Sequence, residues 1–208
     1  LGFEKEISKY ENVHLKRVDD VTGEIDVPLK TRTNNANAWN ADYFISFHHN
    51  ANTGKWGNWG GVEIFVQPNS SSKSLALAKA VLPSLVLGYG LKNRGVKTKD
   101  LHITRETKMP AILIEGGFMD SLIDIKVLRD KAKLINAGKL IALAVADHLK
   151  LKLKDVDTIK PKEDKVSEWA KEASEWAINN KVTDGKRPLD NITREEVWTM
   201  LYRMSKIK

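Results

Sequence analysis

Two short stretches carry the residue types that hydrolytic chemistry uses. The first is Ser46-Phe47-His48-His49-Asn50-Ala51, a pair of imidazoles closing an apolar run. The second is Ile114-Glu115-Gly116-Gly117, a carboxylate at the end of the run Ala111-Ile112-Leu113-Ile114. Imidazole holds metals or carries protons near neutral pH. A carboxylate acts as a general base when it is partly desolvated, because burial raises its affinity for a proton. Alternation along a strand gives His48 the direction of Ser46 and turns His49 the other way. One histidine can therefore face a cleft while the other packs or is solvated. Each residue also has a plainer reading: His48 as a satisfied core histidine, Glu115 as a strand-end carboxylate capping the next helix.

These stretches need elements to hold them. Tyr43-Phe44-Ile45-Ser46-Phe47 and Val62-Glu63-Ile64-Phe65-Val66 read as strands, as does Ala111-Ile112-Leu113-Ile114, ending at Glu115. The alternation of Asn12-Val13-His14-Leu15-Lys16-Arg17-Val18 predicts another. Residues 4–10 read as the end of a helix. Pro28 suits the first turn of a helix reaching about Trp39. Residues 70–74 can cap a helix running to Leu87, interrupted at Pro83, and residues 131–149 have helical apolar spacing. Strands separated by such helices imply an α/β fold, a mostly parallel sheet with helices on both faces. In such a sheet ligands gather beyond the carboxyl ends of the strands.

At 208 residues the chain has room for one ordinary domain and a small second one. The texture changes after Lys150, so the expected domains are 1–150, a linker at 151–165 and a small helical C-terminal module at 166–208. In that module Trp169, Ala173, Trp176 and Ala177 share a helical face that reads as core, and Thr193-Arg194-Glu195-Glu196 reads as a capping box. There are no cysteines, which excludes thiolate metal sites and cysteine nucleophiles. The net charge of +7 suits a polyanionic partner such as an acidic cell wall, or simply a solvated basic surface. No basic run long enough for a nucleic-acid arm occurs, so no nucleic-acid partner is expected. The longest apolar stretch, residues 134–149, is broken by Asn136, Lys139 and Asp147, so no membrane span is expected.

Other polar residues are weaker candidates. His14, His102 and His148 lack partners at metal-binding spacing, and Arg105 reads as a solvated or salt-bridged arginine within reach of the site. Trp56 and Trp59 lie in a loop with Gly54, Gly57, Gly60 and Gly61. They either rim a sugar or peptide groove or plug the loop against the domain.

The residues from Asn40 to Ala51 resemble the ADxFISxHxNA segment of the zinc-dependent N-acetylmuramoyl-L-alanine amidases of the Amidase_3 type. The stretch from Arg105 to Asp120 is similar to their second signature, an apolar strand ending in the catalytic glutamate before a Gly-Phe pair. Arg17-Val-Asp-Asp20 and residues 29–37 and 56–61 look like variants in endolysins of phages and prophages of Bacillus and Clostridium. The resemblance covers residues 1–150 and implies a peptidoglycan hydrolase. His48 would be a ligand of Zn2+, and Glu115 the general base and acid acting through the zinc-bound water. The bond cut would join N-acetylmuramic acid to the first L-alanine of the stem peptide, in an extracellular or cell-wall setting.

The resemblance also sets a discrepancy. The family takes three zinc ligands, His, Glu and His, and no Gly-His-Gly motif precedes His48 here; Glu4 and Glu6 lie too close to the next strand to match the family's glutamate. The expectation is a chain lacking the family's opening strand and inactive by itself. A rival reading is a non-catalytic wall-binding protein with a degenerate amidase domain. Residues 166–208 resemble a single surface-layer-homology repeat, through Trp169-Ala170, Glu175-Trp176-Ala177, Thr183-Asp184-Gly185 and Thr193-Arg194-Glu195-Glu196. That implies targeting to the wall, through peptidoglycan or a secondary wall polymer.

Overall fold

Side-chain parity along four strands organises the first part of the molecule. The computed structural model describes residues 1–154, 166, 168–183 and 194–206. They fall in two compact units, residues 1–154 and 155–208. In the first unit the strands are β1 (Phe44–Asn50), β2 (Val62–Val66), β3 (Asn93–Thr98) and β4 (Ala111–Phe118), in the order β1-β4-β2-β3. β1 runs parallel to β4 and β2 parallel to β3, whereas β2 is antiparallel to β4. The exception has a local cause. No helix lies between β1 and β2, so the chain turns back through residues 51–61 instead of crossing over.

Ile112 and Ile114 of β4 and Val62, Ile64 and Val66 of β2 project to one face and are almost wholly buried. There they meet α1 (Gly2–Ile7), α3 (Ser72–Tyr89) and α6 (Lys131–His148) in the main core. Burying each such aliphatic side chain contributes roughly 1.5–3 kcal/mol. The other face packs a smaller cluster at one end, where α2 (Leu29–Ala38) and α4 (His102–Arg105) bring Ala36 and Ile103 onto Phe44 and Ala111. One further helical turn, α5 (Ile125–Leu128), follows β4.

Several expectations change. Residues 12–18 alternate but form no strand; the nearest ladder contact is an isolated bridge between Tyr10 and Leu153. Alternation makes a strand only where a partner pairs with it. β1 and β4 each run three or four residues beyond the expected ends, so His48 and Glu115 sit within strands. α3 passes through Pro83 without a break. That proline is exposed, so the carbonyl it leaves unpaired faces water. Ser71 caps α3, its hydroxyl accepting from the Ser74 amide at 3.2 Å. β3 was hidden because Asn93-Arg94-Gly95-Val96-Lys97-Thr98 has a single aliphatic residue.

Residues 151–154 are tied to the first unit, where the Lys154 amide donates to the Lys9 carbonyl at 2.8 Å. The second unit contains α7 (Lys171–Asn179), preceded by a 3-10 turn at Glu168–Ala170, and α8 (Arg194–Met204). The expected core aromatics are not enclosed: Trp169 is 88% exposed, and Trp176 and Trp198 are exposed too. Asp184, Gly185 and Thr193, with the side chains of the expected capping box, lie outside the described residues. No helix among the described residues is long and apolar enough to cross a membrane.

Candidate functional site

The strand register brings the two sequence candidates together. His48 is the direct partner of Glu115 across the parallel β1–β4 pair, so both side chains project from the same face. They lie away from the Phe44–Ala111 end that α2 and α4 occupy, and both keep partial solvent access. The site is thus on the sheet face, not beyond the strand ends. The His48 Nε2 lies 3.0 Å from the Ser46 Oγ, as strand alternation requires. Burial lowers the His48 pKa, and the positive charges of Arg32 and His49 lower it further, so the neutral imidazole is favoured. His49 points to the opposite face, with its ring 6.3 Å from that of Tyr89.

Glu115 is held in its protonated form unusually far up the pH scale. Burial pushes its pKa up to about 7, the neighbouring charge of Glu63 adds to the push, and Lys99 opposes it. Its Oε2 is buried and has no hydrogen-bond partner. A carboxyl group that is partly desolvated, unpaired and titrating near neutrality is suited to taking and returning a proton. The glycines after it serve the fold. A Cβ on Gly116 would lie 2.3 Å from the Tyr89 hydroxyl, and Gly117 has φ +114°.

Glu63, which sequence reading left inside an apolar strand, faces Glu115 across the antiparallel β2–β4 pair. It is 2% exposed. Its Oε2 accepts from the Arg94 Nε at 2.8 Å and the Lys97 Nζ at 2.5 Å, and its Oε1 from the Asn50 amide nitrogen at 2.7 Å. These partners hold its pKa down against the opposing effect of burial. A carboxylate in the otherwise apolar Val-Glu-Ile-Phe-Val was the available signal. Glu63 also occupies Arg94 and Lys97, cations that would otherwise be free to pair with Glu115.

The loop from β1 to β2 crosses the end of β4 and is fastened by Asp120. One Asp120 oxygen accepts from the amides of Asn52, Thr53 and Gly54 at 2.9 Å each, and the other accepts from the Trp59 indole at 2.9 Å. Although burial opposes it, these donors hold the Asp120 pKa down to about 2. Asp124 accepts from the Gly61 amide at 2.8 Å and the Phe118 amide at 3.0 Å. The two tryptophans therefore divide the roles foreseen for them. Trp59 plugs the loop, and Trp56 stands 57% exposed. Nothing in the sequence marked Asp120 as the fastening point, because its partners lie more than sixty residues upstream.

Arg105 does not join the site; it pairs with Asp100 and Glu106 at 2.8 Å each. His102 lies 3.4 Å from Thr33 and links α4 to α2. Among the described residues no group of three or more His, Cys, Asp or Glu side chains converges as a metal site. A hydrolytic zinc ordinarily takes three protein ligands, so the described donors do not complete one.

A mixed α/β sheet carrying an imidazole and an unpaired carboxyl group side by side defines a hydrolase-like class of site. The chain belongs to the Amidase_3 family of N-acetylmuramoyl-L-alanine amidases, which matches residues 4–147. It is 36% identical over 128 residues to the N-acetylmuramoyl-L-alanine amidase CwlM of Bacillus licheniformis, covering 61% of this chain and 47% of that protein. It is 35% identical over 164 residues to the endolysin of Bacillus phage SPP1, covering 77% of this chain and 58% of that protein. The chain thus spans about half the length of the curated relatives it matches. Among solved structures, an N-acetylmuramoyl-L-alanine amidase from Clostridium difficile 630 superposes with a TM-score of 0.62 at 26% identity, covering 72% of this chain and 81% of that one. The catalytic domain of CwlV from Bacillus (Paenibacillus) polymyxa, at 24% identity and TM-score 0.64, shares the fold, with 73% and 80% covered.

Proposed function

We propose that this protein is a peptidoglycan hydrolase cutting the amide bond between N-acetylmuramic acid and the L-alanine of the stem peptide. The observation that carries the reading is the register pairing of His48 with Glu115. Glu115 takes a proton from the attacking water and returns it to the leaving amine. Its elevated pKa suits both halves of that exchange. The family match and the amidase and endolysin relatives support the substrate class. They also support an extracellular or cell-wall site of action.

His48 is proposed as one donor to a zinc ion, which would supply Lewis-acid activation of water. The described residues do not complete that centre, so the chemistry assigned to this chain is the proton transfer at Glu115. We place the remaining donors on added chain paired to the outer edge of β1. There a groove of about 840 Å3 runs between residues 12–19 and 39–47, lined by Val13, Leu15, Val18, Tyr43, Ile45 and Phe47. The exposed tryptophans of residues 166–208 support a wall-binding role for that module.

Residues 1–208 alone are expected to show no zinc-dependent lysis of purified walls. The protein carrying the added strand lyses them, and its Glu115→Gln variant retains zinc while losing about 10²–10⁴-fold in rate. Lysis by residues 1–208 alone refutes the need for further donors, and lysis unaffected by Glu115→Gln refutes the role of Glu115. The absence of a three-donor cluster favours one second reading, a non-catalytic wall binder. It predicts retention on walls without lysis even when the added strand is present.

A further inference from the structure

Beside Glu115 the same sheet face carries more positive charge than its own carboxylates neutralise. Arg94, Lys97 and Lys99 stand there against Glu63 and Glu115. Glu63 already bonds Arg94 and Lys97, and the Arg94 guanidinium also lies 4.8 Å over the Phe118 ring. Lys99 is exposed, and its Nζ sits 5.6 Å from the centroid of the Phe65 ring, with no ion-pair partner among the described residues. Phe65 pairs with Leu113 on one side and Lys97 on the other, and Leu113 lies two residues from Glu115 on the same face. The path from Glu115 to this corner therefore crosses two strand spacings, about 10 Å. An extended peptide covers that distance in about three residues.

We infer that Lys99, seated on Phe65, is a specificity-determining residue that receives a free carboxylate on the peptide side of the bond cut at Glu115. The inference rests on the proposed function, since it takes Glu115 to mark the scissile amide. A carboxylate fits because the corner is short of one negative charge, and because the apolar Phe65 ring lets the peptide chain cross between the two groups. An exposed ammonium–carboxylate pair is worth only a few tenths to about 1 kcal/mol and weakens with salt. The site therefore acts through preference between peptides, with a small share in total affinity.

The test compares two soluble probes by calorimetry on residues 1–208. One is N-acetylmuramoyl-L-alanyl-D-isoglutamate, with a free carboxylate on its second residue; the other is the same molecule amidated there. The acid form is expected to bind about two- to fivefold more tightly at low salt. Lys99→Gln removes that preference by weakening the acid form alone. Lys79→Gln, an equal charge change on the exposed side of α3, keeps it. Equal affinities in the wild type, or a preference that survives Lys99→Gln, overturn the inference. Binding without preference, together with Glu115-dependent lysis by the extended protein, overturns it while leaving the proposed function standing. Binding of neither probe removes both.

Discussion

The two faces of one sheet, a residue apart in sequence, obey different physics. Ile114 lies within the helix-covered core, and its neighbour Glu115 projects to the face where helices occupy only the far end. On the covered face every polar group has been removed and apolar surface is buried almost completely. On the other, a carboxyl group without a hydrogen bond to its Oε2 sits beside an imidazole and opposite a second carboxylate. The first arrangement stabilises the fold. The second costs stability, which a protein tolerates where a site requires it.

Substitutions on the two faces should move stability in opposite directions. Ile114→Ala leaves a cavity among α3, α6 and the sheet, and urea denaturation should show a loss of about 2–5 kcal/mol. A loss below 1 kcal/mol would mean that this face is not the core. Glu115→Gln should have the opposite sign at high pH. The folded pKa of Glu115 lies above its ordinary value, so its ionisation disfavours the folded state. Wild-type stability should therefore fall as pH rises from about 4.5 through 7, and the glutamine variant should escape that loss. Above pH 8 it should be about 2 kcal/mol the more stable. Equal stability across that range would show that Glu115 is solvated.

The smallest effect belongs to the rim. Asp120→Asn replaces an acceptor that four donors share and should loosen residues 52–59 without unfolding the sheet. Faster proteolysis within the loop and altered Trp59 fluorescence are the readouts, with the denaturation midpoint nearly unchanged. Because the pKa of Asp120 is depressed, the fastening is fully present above its ordinary carboxylate range and is lost as pH falls through about 2. A variant loop as protease-resistant as the wild type would assign the fastening to Asp124 and Ser121.

Strands with strong apolar patterns were legible from the chain: β2 has the expected bounds, and α2, α3 and α6 lie where their spacing and caps placed them. Their signals are local, a period of side chains and a terminating residue. β3 was not legible, since its burial comes from its neighbours and not from its own composition. Residues 12–18 show the converse, a strand pattern with no pairing partner in the structure. His48 and Glu115 were each visible as ionisable residues at the end of an apolar run.

Residue type and alternation fixed which side chains of each strand face together, and with them the identity of the two candidate groups. That β1 and β4 are neighbours, that His48 meets Glu115 in register, and that Glu63 confronts them from an antiparallel strand were decided only by tertiary pairing. The reason is range. Periodicity is set by bonds between adjacent residues, whereas strand order, burial of a carboxyl group and the fastening of a loop by Asp120 depend on contacts spanning up to about seventy residues. Such contacts form where the whole chain buries its apolar face, and no local pattern records them.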